Sequence, residues 1–144
     1  MESTIYSVND GGLPLHNFND TTVTEILITP PTDRAQTNWV VHGKVVLGNL
    51  DGNPQNASAW LVLMVGDTPT IIDRADVRID QYGNTVSICL LAVFQAKQLL
   101  INKEIEVELH CQTYQGHVQW AKLVAMSTDS ATSNAPSVRA PAQT

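Results

Sequence analysis

The sequence predicts an all-β fold, an antiparallel β-sandwich of jelly-roll type, and three observations lead there. The first is the stretch 104–112, where apolar and polar residues alternate without a break. Strand side chains point to opposite faces with a period of two, so Ile105, Val107, Leu109 and Cys111 share one face and Glu104, Glu106, Glu108 and His110 the other. The second is spacing: about seven or eight strand-length segments are separated by turn signals roughly every 8 to 15 positions. The third is that nothing in the chain alternates strand with helix, as a parallel sheet requires.

Taken in order, residues 1–21 are rich in Asn, Asp, Gly and Ser, with Asp10-Gly11-Gly12 and Leu13-Pro14 as punctuation, and read as an irregular arm. The sandwich domain is expected over residues 22–129. Its first strand, 22–29, is dense in β-branched residues and is ended by Pro30-Pro31, which cannot donate to a ladder. Residues 39–47 form the second strand, and the turn cluster Asn49-Leu50-Asp51-Gly52-Asn53-Pro54 leads to a continuous apolar strand at 59–65. Gly66-Asp67-Thr68-Pro69 turns the chain into a short strand at 70–73 and an alternating one at 75–79. After Tyr82-Gly83-Asn84, residues 85–94 make another strand, and 94–102 read as a loop with room for one helical turn. Residues 104–112 and 118–126 are expected to pair as a hairpin across Tyr114-Gln115-Gly116-His117. From 130 to 144 the composition shifts to Ser, Thr, Ala, Pro and Gln without apolar period, which reads as a flexible tail.

The chain's 144 residues suit one domain with a sizeable core, and its 15% charged content is low against the roughly 25% usual for soluble proteins. A net charge of -6, with only eight Lys and Arg, argues against nucleic acid and against a polybasic membrane surface. No apolar run approaches the roughly 20 residues of a membrane helix, and the N-terminus lacks the basic and apolar regions of a signal peptide, so membrane insertion is not expected and the chain reads as cytoplasmic by default, or as exported by a route the sequence does not show. Cys89 and Cys111 permit one disulfide, conceivable if their strands were hairpin neighbours, although two buried thiols acting as small hydrophobes are the plainer reading.

Several strands are apolar on both faces: Val40, Val41, Val45 and Val46 in one, Leu61, Val62, Leu63 and Met64 in another, Leu90, Leu91, Ala92 and Val93 in a third. A lone sandwich needs one apolar face per strand, so the surplus must be covered by the chain's own loops or by a neighbouring subunit. Leu61, Leu63, Leu91, Val93 and Leu123 are the residues expected to divide between core and interface.

The order of these features resembles the compact jelly rolls of the tumour-necrosis-factor-like superfamily, including the complement-type globular heads. The similarity covers about residues 22–127: a two-faced apolar strand early (39–47), an inner strand at 59–65, an alternating strand at 104–112, and the closing Trp120-Ala121-Lys122-Leu123-Val124. It is a likeness of strand pattern, and the family's aromatic-rich closing strands are only partly matched. What it implies is a homotrimer packed along the inner sheet, with a homodimer as the second choice.

The chemistry-bearing residues point away from catalysis. His16, His42, His110 and His117 could supply acid–base groups, but no nucleophile elbow, phosphate loop or paired-histidine motif accompanies them, so no catalytic residue, cofactor or metal ligand is assigned. Asn49, Asp51 and Asn53 resemble a fragment of a calcium loop without its distal glutamate and read as a tight turn. Glu104, Glu106 and Glu108 read as a solvated face. Trp39, Trp60 and Trp120 are residue types that sugar-binding sandwiches use, yet each stands among apolar neighbours, where core packing is the default. The expected function is a non-catalytic interaction or assembly module whose partner is itself, with a protein or glycan ligand besides; the alternative is a carbohydrate- or other small-ligand-binding sandwich.

Overall fold

The structure, a computed structural model, describes residues 3–128. Nine strands follow in order: β1 (Ser3–Asn9), β2 (Leu13–His16), β3 (Thr21–Ile28), β4 (Gln36–Asn49), β5 (Gln55–Val65), β6 (Thr68–Ile79), β7 (Thr85–Lys97), β8 (Ile105–Thr113) and β9 (Gln115–Thr128). They form two antiparallel sheets. The front sheet runs β1-β9-β4-β7, with β2 also on β9, and the back sheet runs β3-β8-β5-β6. With β1 and β2 counted as one interrupted strand, the chain has eight strands wound as two interlocking Greek keys, which is the jelly roll.

The alternation read from the sequence positions the core. On β7, Ile88, Leu90, Ala92, Phe94 and Ala96 are buried while Cys89, Leu91, Val93 and Gln95 are exposed. On β8, Ile105, Val107, Leu109 and Cys111 meet Val41, Val45 and Leu47 of β4 and Leu123 of β9 in one contiguous cluster. Each fully enclosed aliphatic side chain contributes roughly 1.5–3 kcal/mol relative to exposure. Among the described residues, no helix is long and apolar enough to cross a membrane.

One end of the sandwich is tied by buried amides. The Asn49 side chain donates to the carbonyls of Asn53 (2.9 Å) and Asp80 (2.6 Å) and accepts from the Asp51 amide (2.7 Å). Gln55 donates to Asn49 Oδ1 and to the Gln115 carbonyl, both at 2.5 Å, and accepts from the Gln115 amide at 2.8 Å. Three connections are thereby locked together, and the turn reading of Asn49 has a mechanism.

Four expectations need correction. The arm 1–21 is not irregular where it is described: β1 and β2 pair with β9 from Ser3↔Ser127 to His16↔Gln115. The Asp10-Gly11-Gly12 break is a bulge in one long strand path. Gly11 has φ 108°, and a Cβ there would come within 2.0 Å of the Gln119 carbonyl oxygen. The strands at 104–112 and 118–126 are not a hairpin, because β8 pairs with β3 and β5 while β9 pairs with β1, β2 and β4. Tyr114 alone separates them, too short a link for a hairpin loop but enough for a corner between sheets. Of the two buried thiols expected, Cys111 is buried but Cys89 is exposed, and the disulfide, the lesser reading, is absent, since β7 and β8 lie in different sheets and both thiols are free. The strand 85–94 runs on to Lys97, and the helical turn is a single 3₁₀ turn, Gln98–Leu100. The expected tail, 130–144, lies outside the described residues.

Candidate assembly surface

Strand register builds the outward face of the front sheet row by row. Thr4, Met126, Val40 and Val93 stand side by side across β1, β9, β4 and β7; the next row is Tyr6, Val124, His42 and Leu91; the next is Val8, Lys122, Lys44 and Cys89; and Trp120, Val46 and Ser87 follow. Leu91 and Val93 are 56% and 67% exposed. Tyr6, Val8, Trp120 and Met126 are exposed as well, and Val40, Val46 and Val124 are half-buried. A shallow depression of about 270 Å3 lies in this face among His42, Lys44, Cys89, Trp120, Lys122 and Val124.

The electrostatics of the front sheet are one-sided. Its strands β1, β2, β4, β7 and β9 contain no Asp or Glu at all, and their charged residues are Lys44, Lys97 and Lys122. The Lys122 ammonium lies 5.3 Å from the Tyr6 ring centroid, so the cation rests on an aromatic face. The outer edge of the sheet is blunted: Asp73 of β6 accepts the Leu91 amide at 2.9 Å, occupying a donor that edge strand β7 would offer another chain. What this arrangement offers is an apolar, weakly cationic plane with a guarded edge, suited to face-to-face contact.

The five residues named from the sequence differ in burial. Leu61 and Leu123 are wholly buried between the sheets, and Leu63 packs against the same core, so these three belong to the core. Leu91 and Val93 stand outward, two strand positions apart on β7. Parity grouped the pairs but could not say which sheet face turned inward.

The outward face of the back sheet is different in kind. His110 is held between Asp20 (Nδ1, 2.5 Å) and Glu108 (Nε2, 2.7 Å). Its ring stacks on Trp60 with centroids 5.7 Å apart, and the Arg74 guanidinium lies 5.0 Å from the Trp60 ring. The second apolar face of β5 is thus covered by the chain itself: Trp60 and Val62 are both buried. Beside them the carboxylates of Glu25, Glu106 and Glu108 come within 4.8 Å of one another. A hydrogen bond shared with Glu25, then partial burial, then repulsion from Glu25, Glu104 and Glu108 push the Glu106 carboxyl up to about 7. Sequence reasoning placed Glu104, Glu106 and Glu108 together but missed Glu25, whose outward parity on the strand at 22–29 was the available signal. Cys111 is raised to about 12, first by burial and then by Asp20, and is an inert thiol. His42 sits exposed in the apolar rows, His16 is exposed at the end of β2, and His117 lies over Gly48. Trp39 is a core residue, as the sequence led one to expect, whereas Trp60 is buried on the outward side of the back sheet against His110 and Arg74, and Trp120 reaches the front face.

No family model matches the sequence, and no curated protein matches it. Among solved structures, the Gx strain of infectious bursal disease virus is similar to 88% of this chain at a TM-score of 0.51 and 12% identity. The VP2 subviral particle of the same virus is similar to 88% of it at a TM-score of 0.50 and 11% identity. This chain covers 32% of each of those chains, so it spans about a third of their length. At that identity the likeness is one of fold, and the fold shared is the jelly-roll β-sandwich.

Proposed function

We infer that the chain is a non-catalytic assembly module that forms a homo-oligomer through the outward face of its front sheet, with Leu91 and Val93 at the contact. The observation that carries this reading is the set of contiguous apolar rows on a sheet face free of carboxylates. Removing apolar surface from water yields about 25 cal/mol per Å2, against association costs of roughly 4–15 kcal/mol, so a plane of this kind drives association once several rows are covered. The three-fold order comes from the resemblance to the tumour-necrosis-factor-like superfamily, whose members pack along one sheet. The jelly roll shared with the virus particles is a fold-level likeness, and the reading does not rest on it. A catalytic role finds no support at the best-placed histidine, since both His110 ring nitrogens are engaged by carboxylates and its ring is stacked on Trp60.

Light scattering on a sizing column at micromolar concentration tests the reading. The expected mass is three times the 15.7 kDa of one chain, falling to a single chain in the L91K/V93K double variant. A dimer that the double variant also dissociates keeps the surface and removes the three-fold order. A wild-type monomer removes the proposal.

A further inference from the structure

On the side of the molecule away from the assembly face, a strained aromatic overlooks a polar trough. The turn from β2 to β3 is closed by the Asn19 amide donating to the His16 carbonyl at 2.9 Å. Its two central residues, Asn17 and Phe18, have φ of 54° and 56°. Two left-handed residues in succession make a type I′ turn, whose second position ordinarily falls to glycine. Asparagine tolerates the conformation; a bulky aromatic residue there is strained. The turn is nonetheless pinned, with the Asn17 amide donating to Tyr114 (2.7 Å) and the Phe18 amide to Thr113 (3.0 Å).

The strain does not serve the core. Phe18 is 45% exposed and its ring leans on Tyr114, itself 48% exposed, with centroids 6.2 Å apart. Backbone strain that folding does not need marks a place held ready for something else.

Phe18 borders a depression of about 540 Å3 on the back sheet, whose other walls include Asn56, Asp76, Val77, Arg78 and Gln112. Register places Asn56 beside Arg78, and Ser58 between Asp76 and Gln112. The planar groups are ordered in advance: Ser58 donates to Asp76 at 2.5 Å, Arg74 donates to the same oxygen at 3.1 Å, and Arg78 reaches Asn56 at 3.5 Å. Asp76 therefore stays a carboxylate, held below its ordinary range by Ser58 and Arg74.

We propose that this trough is a carbohydrate-binding site, in which Phe18 supports the apolar C–H face of a sugar ring and Asp76, Asn56, Arg78 and Gln112 engage its hydroxyls. Neighbouring hydroxyls on a sugar present donor and acceptor at the spacing of a carboxylate, amide or guanidinium edge, and an aromatic ring beside such edges fits the alternating polar and apolar surface of a pyranose. The volume falls within the roughly 300–1,000 Å3 usual for small-ligand sites. The site is independent of the assembly reading, because it lies on the other sheet.

A printed glycan array probed with the full chain, followed by amide NMR titration with the methyl glycosides of glucose, galactose, mannose and N-acetylglucosamine, tests it. The expected result is binding on the array and shifts centred on Phe18, Asn56, Asp76 and Gln112. Phe18→Gly should fold with an unchanged or higher melting temperature, because glycine relieves the turn, yet lose about tenfold or more in affinity. Asp76→Asn should lose a similar factor, while Leu99→Ser, in the β7–β8 connection, should bind as the wild type does. No glycan on the array with no shift at tens of millimolar glycoside, shifts centred elsewhere, or full binding by Phe18→Gly would each overturn the proposal. Light scattering reads the opposite sheet, so failure here leaves the assembly proposal standing.

Discussion

Glu106 shows how much one side chain can report. It stands outward on β8, opposite Leu27 of β3 and Met64 of β5, with Glu25 close enough to share a proton. Its carboxyl titrates near 7 in the folded chain against an ordinary 4.5. The folded state therefore binds more protons than the unfolded state between those values, and stability falls as pH rises through that window. Below about 4.5 both states hold the proton and above about 7 neither does, so the dependence is confined to the interval. Glu106→Gln keeps a hydrogen bond to Glu25 without the charge. Melting temperatures from pH 4.5 to 8 should decline in the wild type more than in the variant, with the variant the more stable at pH 8. Parallel curves would show that the Glu25–Glu106 contact does not exist. Of this, the sequence disclosed the alternation that put three glutamates on one face. It carried the outward parity of Glu25 but not its meeting with Glu106, because that contact depends on β3 lying beside β8 across some eighty residues of chain.

Among the elements, the broken strand β1–β2 departs most from what its residues suggest. Strands are legible when apolar residues alternate, as at 85–94 and 104–112, and these segments are strands. The first segment hides because polar residues interrupt its inward face: Ile5, Leu13 and Leu15 turn to the core, but between them Ser7 bonds to Thr24 and Asn9 donates to the Val23 carbonyl at 3.0 Å, stitching β1 to β3. Asp10-Gly11-Gly12 then reads as a loop although it is a bulge, its conformation steadied by the Gly11 amide on Asn9 Oδ1 at 2.8 Å. Gly11→Ala should cost about 2–4 kcal/mol, since Ala resists φ 108° and its methyl meets the Gln119 carbonyl. Urea unfolding measures this, and a loss below about 0.5 kcal/mol would mean the bulge is absent. Phe18 was illegible for a related reason. Asn-Gly announces a type I′ turn, whereas Asn-Phe adopts one here with its amides held by the carbonyls of Tyr114 and Thr113. Leu91 and Val93 were legible as surplus but not as surface, since a period of two fixes which residues go together and never which way they face.

Over the whole molecule, charge is sorted by sheet. The front strands carry lysines and no carboxylate, while Glu25, Asp73, Asp76, Glu106 and Glu108 all stand on the back strands. A low charged fraction is thereby reconciled with a net charge of -6: the strands of one sheet are bare of carboxylates, and those of the other carry them. The two sheets are nonetheless not separable parts. β8 and β9 are interior strands of opposite sheets, and Tyr114 alone joins them. A link of one residue has no slack, so peeling β8 from β3 and β5 drags on β9, and through it on β1 and β4. Neither sheet can open as a subunit of folding, which makes the whole domain a single cooperative unit. Native-state hydrogen exchange should then give the amides of Val107 and Leu109 the same opening free energy as those of Leu123 and Ala125, equal to that of global unfolding. A sheet that exchanged ahead of its partner would mean that the corner is a hinge after all.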